Sequence, residues 1–152
     1  MKNILFVCTG NSCRSVMAEG IFRKLTLQRK NAFEAGSAGV GAFEGCGPTL
    51  ETVHVMAAEG MDVSRHCGRR LTPELVRAAD KILVMELRHR HAVLSLCPEA
   101  SGKVELLRAY SREGQTSVSD AEIPDPIGTN EDSYRDCLKV IKHCVEELIK
   151  KI

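Results

Sequence analysis

Short apolar runs alternating with stretches of helical periodicity predict an α/β fold built on a parallel sheet. Two runs carry most of that reading. Lys2 to Val7 and Lys81 to Met85 (KILVM) are near-continuous apolar segments, as strands covered on both faces are. The third observation is a change of period: beyond each run, the apolar spacing becomes that of a helix.

The elements come in order along the chain. Lys2 to Val7 is the first buried strand. From Ser15, Met17, Ile21 and Leu25 fall on one helical face. Ala32 to Ala38 is a second strand, closed by glycines. Gly39, Gly41 and Gly45 nearly spell a dinucleotide-binding fingerprint, but the last interval is one residue too long, so they read as a turn. Pro48 to Glu59 is helical and stops at Gly60. Thr72 and Pro73 are an N-cap and first-turn residue opening a short helix. After the Lys81 to Met85 strand, a helical or mixed stretch runs from Leu87 to Leu96 until Pro98 interrupts it. Lys103 to Leu107 is a fourth strand. Ser111 to Gly128 is polar and punctuated, and reads as a long surface loop of the kind that is functional or disordered. The last helix carries the stripe Tyr134, Leu138, Ile141, Val145, Leu148 and Ile152. Glu131 and Asp132 near its start and Lys150 and Lys151 near its end suit the helix dipole.

The 152 residues make one domain, 1–152, with enough chain for a single core. A formal net charge of +1 offers no field for nucleic acid or an anionic membrane. Aromatic content of 4% without tryptophan leaves little to stack on bases. The apolar run Ile4 to Val7 is too short for a signal peptide or a spanning helix, so a cytoplasmic protein is expected. Seven cysteines without any C-x-x-C pair fit neither a secreted disulfide framework nor a structural zinc site. Most should be buried as small hydrophobes.

The chemistry concentrates at Cys8. Between the end of the first strand and the first helix lies Thr9-Gly10-Asn11-Ser12-Cys13-Arg14. Such a loop aims backbone N–H groups inward and adds the positive end of a helix dipole, which is an anion cradle. Gly10 and Asn11 tolerate the left-handed backbone that the wrap requires. The planar fork of Arg14 suits two oxygens of a phosphate. A thiol at the base of such a cradle should ionise below its free pKa of about 8.5. Phosphate bound over Cys8 invites in-line attack by sulfur on phosphorus. The N–H groups and the guanidinium would neutralise the oxyanion, and neither metal nor cofactor is expected. The leaving group then needs an acid. Asp125, stiffened between Pro124 and Pro126, is the best candidate, ahead of Asp120 and Glu122.

These features resemble the low molecular weight protein tyrosine phosphatase family, in its bacterial type and near the protein arginine phosphatase branch. The resemblance rests on VCTGNSCRS after the first strand, AGSAG ending the second, HCGRRLTPE in the middle and PDP before the last helix, in that order. It implies a flavodoxin-like, three-layer domain with four parallel strands and helices on both faces. It implies Cys8 as nucleophile, Arg14 as phosphate clamp and Asp125 as general acid, then base for the water that hydrolyses the cysteinyl-phosphate. Residues 9 to 14 would bind the phosphate. Asn11 would hold the loop through Ser37 and His66, the Ser15 hydroxyl would stabilise the Cys8 thiolate, and Cys13 would guard Cys8 through a reversible disulfide. The partner implied is a phosphorylated protein, and the expected state a monomer.

Three positions depart from the family pattern. Val16 stands where proline is frequent. Ser12 stands where tyrosine-specific members carry a bulky aliphatic residue and the arginine phosphatases threonine. Ile127 replaces an aromatic that packs on the substrate ring, a loss of about 0.5–1.5 kcal/mol for a phosphotyrosine. Phe43, after the second strand, is a candidate to compensate. The main reading is therefore a phosphotyrosine phosphatase, with a phosphoarginine phosphatase as the alternative. An arsenate reductase on the same scaffold would need a relay of closely spaced cysteines after the third strand, where only Cys97 lies. A silent phosphoprotein-binding module is a further rival, which the joint presence of Cys8, Arg14 and Asp125 disfavours.

Overall fold

The computed structural model describes residues 1–29, 31–111 and 121–152. Four strands, β1 (Lys2–Cys8), β2 (Phe33–Gly39), β3 (Lys81–Val84) and β4 (Val104–Leu106), form one parallel sheet in the order β2-β1-β3-β4. Five α-helices join them: α1 (Arg14–Leu25), α2 (Leu50–Ala58), α3 (Pro73–Ala78), α4 (Leu87–Leu96) and α5 (Glu131–Lys151).

The alternation of β1 sorts the two cores. Ile4, Phe6 and Cys8 face α1, α2 and α5, packing with Met17, Phe22, Met56 and Leu138. Leu5 and Val7 face α3 and α4, packing with Val76 and Val93. This is the three-layer, flavodoxin-like arrangement that was expected. The buried cysteines Cys13, Cys97, Cys137 and Cys144 fill core space as small hydrophobes, whereas Cys67 is exposed; all seven cysteines are free thiols. Among the described residues, no helix is long and apolar enough to cross a membrane.

The local signals account for most boundaries. Thr72 Oγ1 accepts the Leu75 N–H at the start of α3, with Pro73 in the first turn. Asn130 Oδ1 caps α5 by accepting the Ser133 N–H. The α5 stripe is buried from Tyr134 to Leu148, and Ile152 packs on its edge. Three expectations are corrected. Leu25 shares the face of Met17 and Ile21 on paper, but α1 ends there, past the edge of the core, and its side chain is exposed. The β3 strand stops at Val84; the Met85 N–H still reaches the Val7 carbonyl, but the chain is already turning towards α4. The stretch read as a surface loop from Ser111 to Gly128 is not all surface. Ser111 closes a 3₁₀ turn, residues 112–120 lie outside the described residues, and Ala121 and Ile123 are buried. Ile123 is tied to the residue that follows β3, its N–H donating to the Met85 carbonyl.

Candidate active site

The site sits at the carboxyl end of β1, where the chain order of the sheet reverses between β1 and β3. Open parallel sheets leave a crevice at that point. Residues 9–13 wrap around it. Asn11 is the turning residue, with φ of 52°, the left-handed region that asparagine tolerates. Gly10, expected to share that role, is not in the left-handed region; a Cβ there would lie 3.3 Å from Ser12 Oγ, so it serves closeness rather than handedness.

The buried Asn11 amide holds the loop with its full hydrogen-bonding capacity. Its Nδ2 donates to Ser15 Oγ at 2.8 Å and to Ser37 Oγ at 2.9 Å. Its Oδ1 accepts the Arg69 N–H at 3.0 Å and His66 Nε2 at 3.1 Å. The Ser37 hydroxyl in turn donates a hydrogen bond to Glu19 Oε2. Ser15 Oγ accepts from Asn11 and lies 2.9 Å from Cys8 Sγ, within reach to donate its proton to the sulfur. Cys8, Asn11, Ser15, Ser37 and His66 thus meet in one network.

The backbone of the loop is asymmetric. Its carbonyls are taken from outside: Cys8 by the Val40 N–H, Thr9 by Gly41, Ser12 by Thr49 and Cys13 by Met17. Among the described residues, no acceptor takes the N–H groups of Gly10, Asn11, Ser12 or Cys13. They join the free N–H groups of the first turn of α1. Gly39 makes this packing possible, since a Cβ there would fall 2.5 Å from the Thr9 oxygen and 2.8 Å from the Asn11 nitrogen.

Arg14 is 1% exposed and held from behind. Its Nη1 donates to Glu86 Oε2 and to the Ile123 carbonyl, both at 2.7 Å. Nη2 lies 3.4 Å from Thr9 Oγ1 and 3.5 Å from Asp125 Oδ2. Among the described residues, Arg14 Nε is the side-chain nitrogen or oxygen that is buried without a hydrogen-bond partner. Leaving a charged donor so costs about 1–3 kcal/mol or more. One edge of the guanidinium is therefore anchored, and the Nε–Nη2 edge keeps donor capacity for two oxygens of an anion.

Asp125 borders the same place. Besides Arg14, its carboxylate accepts the Ile127 N–H at 3.1 Å and faces Cys13 Sγ at 3.7 Å. Burial, then the charges of Cys8 and Asp125, push the Cys13 thiol far up, so Cys13 stays protonated and donates to Asp125. The other acid candidates fall away. Glu122 Oε2 caps α4 by accepting the Leu87 N–H at 2.7 Å, and Asp120 lies outside the described residues. Cys97 packs on the opposite face of the sheet from Cys8, against the Pro73 carbonyl, so it has no route into a relay with Cys8.

Two residues absent from the sequence reading belong to the site. Glu86 pairs with Arg14 and Arg88; against the burial that would raise it, those hydrogen bonds hold its carboxyl below the usual carboxylate range. His89 is fully buried, its Nε2 2.9 Å from Thr9 Oγ1. Burial and then Arg14 push its pKa down to about 4. The available signal was positional: all strands of a parallel sheet end at one edge, so residues just after KILVM had to arrive beside the Cys8 loop.

The substrate-facing candidates are open. Ser12 is half-buried, Phe43 is 82% exposed and Ile127 is 57% exposed. Phe43 rides on the 40–46 loop that lines the cradle, through Gly41 on Thr9 and Cys46 Sγ 3.6 Å from the Gly10 carbonyl.

Among known proteins, the family model described as low molecular weight phosphotyrosine protein phosphatase matches residues 3–152. The Salmonella typhimurium low molecular weight protein-tyrosine-phosphatase Wzb is 35% identical over 133 residues, 88% of this chain and 82% of that protein. The crystal structure of a low molecular weight protein tyrosine phosphatase from T. tengcongensis is 34% identical, with a TM-score of 0.89 and full coverage of both chains. The YwlE arginine phosphatase from Geobacillus stearothermophilus is 29% identical, with a TM-score of 0.86 over 99% of this chain and 92% of that one. A family match across nearly the whole sequence agrees with a cradle that leaves the Arg14 Nε and a row of N–H groups unpartnered beside a cysteine: the chain belongs to the low molecular weight phosphotyrosine protein phosphatase family.

Proposed function

We propose that the protein hydrolyses phosphotyrosine in protein substrates through a cysteinyl-phosphate intermediate. The observation that carries this reading is the unpartnered Nε of the buried Arg14, on the loop that begins at Cys8. A dianionic phosphoryl group supplies the oxygens which that nitrogen and the free N–H groups of the loop lack. Phosphate seated there stands over Cys8 Sγ, held by the Ser15 hydroxyl.

In the first step the S–P bond forms and the P–O bond to the tyrosyl oxygen breaks, while Asp125 gives its proton to the leaving phenolate. In the second, the Asp125 carboxylate takes a proton from water as that water attacks phosphorus, and the cysteine leaves. Arg14 and the loop N–H groups hold the three equatorial oxygens through both steps. Cys13, in the same core cluster as Cys8, would condense with a sulfenic acid formed on Cys8, making the disulfide and releasing water. Tyrosine is favoured over arginine because relatives at 32–35% identity, Wzb of Salmonella typhimurium and Etp of Escherichia coli, are named as protein-tyrosine-phosphatases.

Turnover of p-nitrophenyl phosphate in EDTA tests the mechanism. The wild type is expected to turn over, and Cys8→Ser to lose at least roughly three orders of magnitude, as removal of a nucleophile does. Full activity in Cys8→Ser would end it. Phosphate binding with no turnover in the wild type would favour a binding module.

A further inference from the structure

Thr9 and His89 remain unused by that mechanism, yet their hydrogen bonds are directional. The Glu86 backbone N–H can only donate, and it donates to His89 Nδ1 at 3.1 Å. Nδ1 is therefore the bare nitrogen of a neutral ring, and Nε2 carries the proton. Nε2 in turn donates to Thr9 Oγ1 at 2.9 Å. Thr9 Oγ1 also lies 3.4 Å from Arg14 Nη2, a second donor. Both lone pairs of the Thr9 oxygen are then engaged, and its own proton needs an acceptor. Among the described residues it finds none.

Ser15 offers the comparison. There the oxygen accepts from Asn11, and the hydroxyl lies 2.9 Å from Cys8 Sγ, towards which its proton can be directed. Thr9 is more fully constrained, with two donors on its oxygen, and its proton has a different destination, because that oxygen lies beside Arg14 Nη2. We infer that His89 and Thr9 form a second hydroxyl relay, in which buried His89 fixes the Thr9 oxygen so that its O–H donates to the phosphoryl oxygen held by Arg14 Nη2. Thr9 is the residue in contact with substrate, and His89 is a positioning residue that acts through it. The inference deepens the phosphatase reading and rests on it.

A hydrogen bond to a charged group is worth about 1.5–3 kcal/mol, or roughly 10- to 100-fold. Thr9→Val keeps the shape and removes the proton. It is expected to lower kcat/KM on a phosphotyrosine peptide, and to weaken inhibition by inorganic vanadate, by that factor, with the loss mainly in kcat. Thr9→Ser, which keeps the hydroxyl, recovers most of the loss. His89→Gln can still accept from the Glu86 N–H and donate to Thr9, so it loses less than His89→Leu. The double variant His89→Leu/Thr9→Val falls no further than Thr9→Val alone, since both changes break one relay. Because His89→Leu alters a buried site, the Thr9 pair stands as a separate test at a half-buried position. A Thr9→Val enzyme within about twofold of wild type in both readouts, or additive losses in the double variant, would overturn the relay. A wild type inactive on phosphotyrosine retires the phosphatase reading instead, so the two failures are told apart.

Discussion

The floor and the rim of the cradle are built on opposite terms. On the floor, Asn11, Arg14, Ser15 and His89 are buried, and each is fixed by named partners: Ser37 and His66 on one side, Glu86 and Ile123 on the other. At the rim, Phe43 and Ile127 stand in solvent. Buried polar networks hold a single geometry because breaking any member strands its partners. Exposed apolar side chains hold none. The reaction is thus written into the floor and substrate choice into the rim, and changes at the two should differ in kind as well as in size.

After loss of the nucleophile itself, the largest effect is expected where floor and rim meet. Asp125 is anchored to Arg14 and to the Ile127 N–H, yet partly exposed. Asp125→Ala should lower kcat by about 10²–10⁴-fold on aryl esters with poor leaving groups, the range typical of general acids. Esters whose leaving group needs no proton should lose much less. Rates measured across a leaving-group series check this, and a uniform loss across the series would assign Asp125 to binding alone.

The next effect belongs to the floor alone. His89 is fully buried, with its pKa pushed down to about 4 by burial and by Arg14; Glu86, Asp125 and Arg88 are the other charged groups facing it. In the unfolded chain it titrates near 6.5. As pH falls from about 6.5 to about 4, the unfolded state takes up the proton and the folded state does not. The stability present above that window therefore declines through it, by about 3 kcal/mol in full, and levels off below. His89→Gln keeps the hydrogen bonds without the titration, so its Tm should fall less steeply across that window. Parallel pH profiles for the two proteins would show that His89 does not carry the difference. Nothing comparable exists at the rim, where Ser12, Phe43 and Ile127 do not titrate.

The same contrast explains what was readable in the sequence. Strand and helix positions were legible because each buried run and each cap acts within a few residues, as Thr72 and Asn130 do. Cys8, Asn11 and Arg14 were legible because one loop between one strand and one helix carries them. Glu86 and His89 were not, because their role arises only when β3 is laid beside β1. Ile123 was hidden by its polar neighbours: only the fold shows its N–H on Met85 and its carbonyl under Arg14. Leu25 failed in the other direction, its helical spacing continuing past the edge of the core.

The smallest effects, and the ones that bear on substrate, belong to the rim. Ser12 places a half-buried hydroxyl where its carbonyl is pinned by the Thr49 N–H, so the backbone should tolerate a larger side chain. Ile127 is exposed and its N–H is pinned by Asp125, so an aromatic there would stand beside the acid. Ile127→Tyr should raise kcat/KM on phosphotyrosine peptides by about 2- to 12-fold, the 0.5–1.5 kcal/mol of an aromatic pair, and leave phosphoarginine peptides nearly unchanged. Ser12→Ile should penalise phosphoarginine more than phosphotyrosine, since the hydroxyl is a group a guanidinium can use and an aryl ring cannot. The two substitutions are to be read as ratios of kcat/KM on the two substrates. Equal effects on both would mean that these positions do not select, and that discrimination has to be sought in the floor, where the half-buried Thr9 lies beside Arg14.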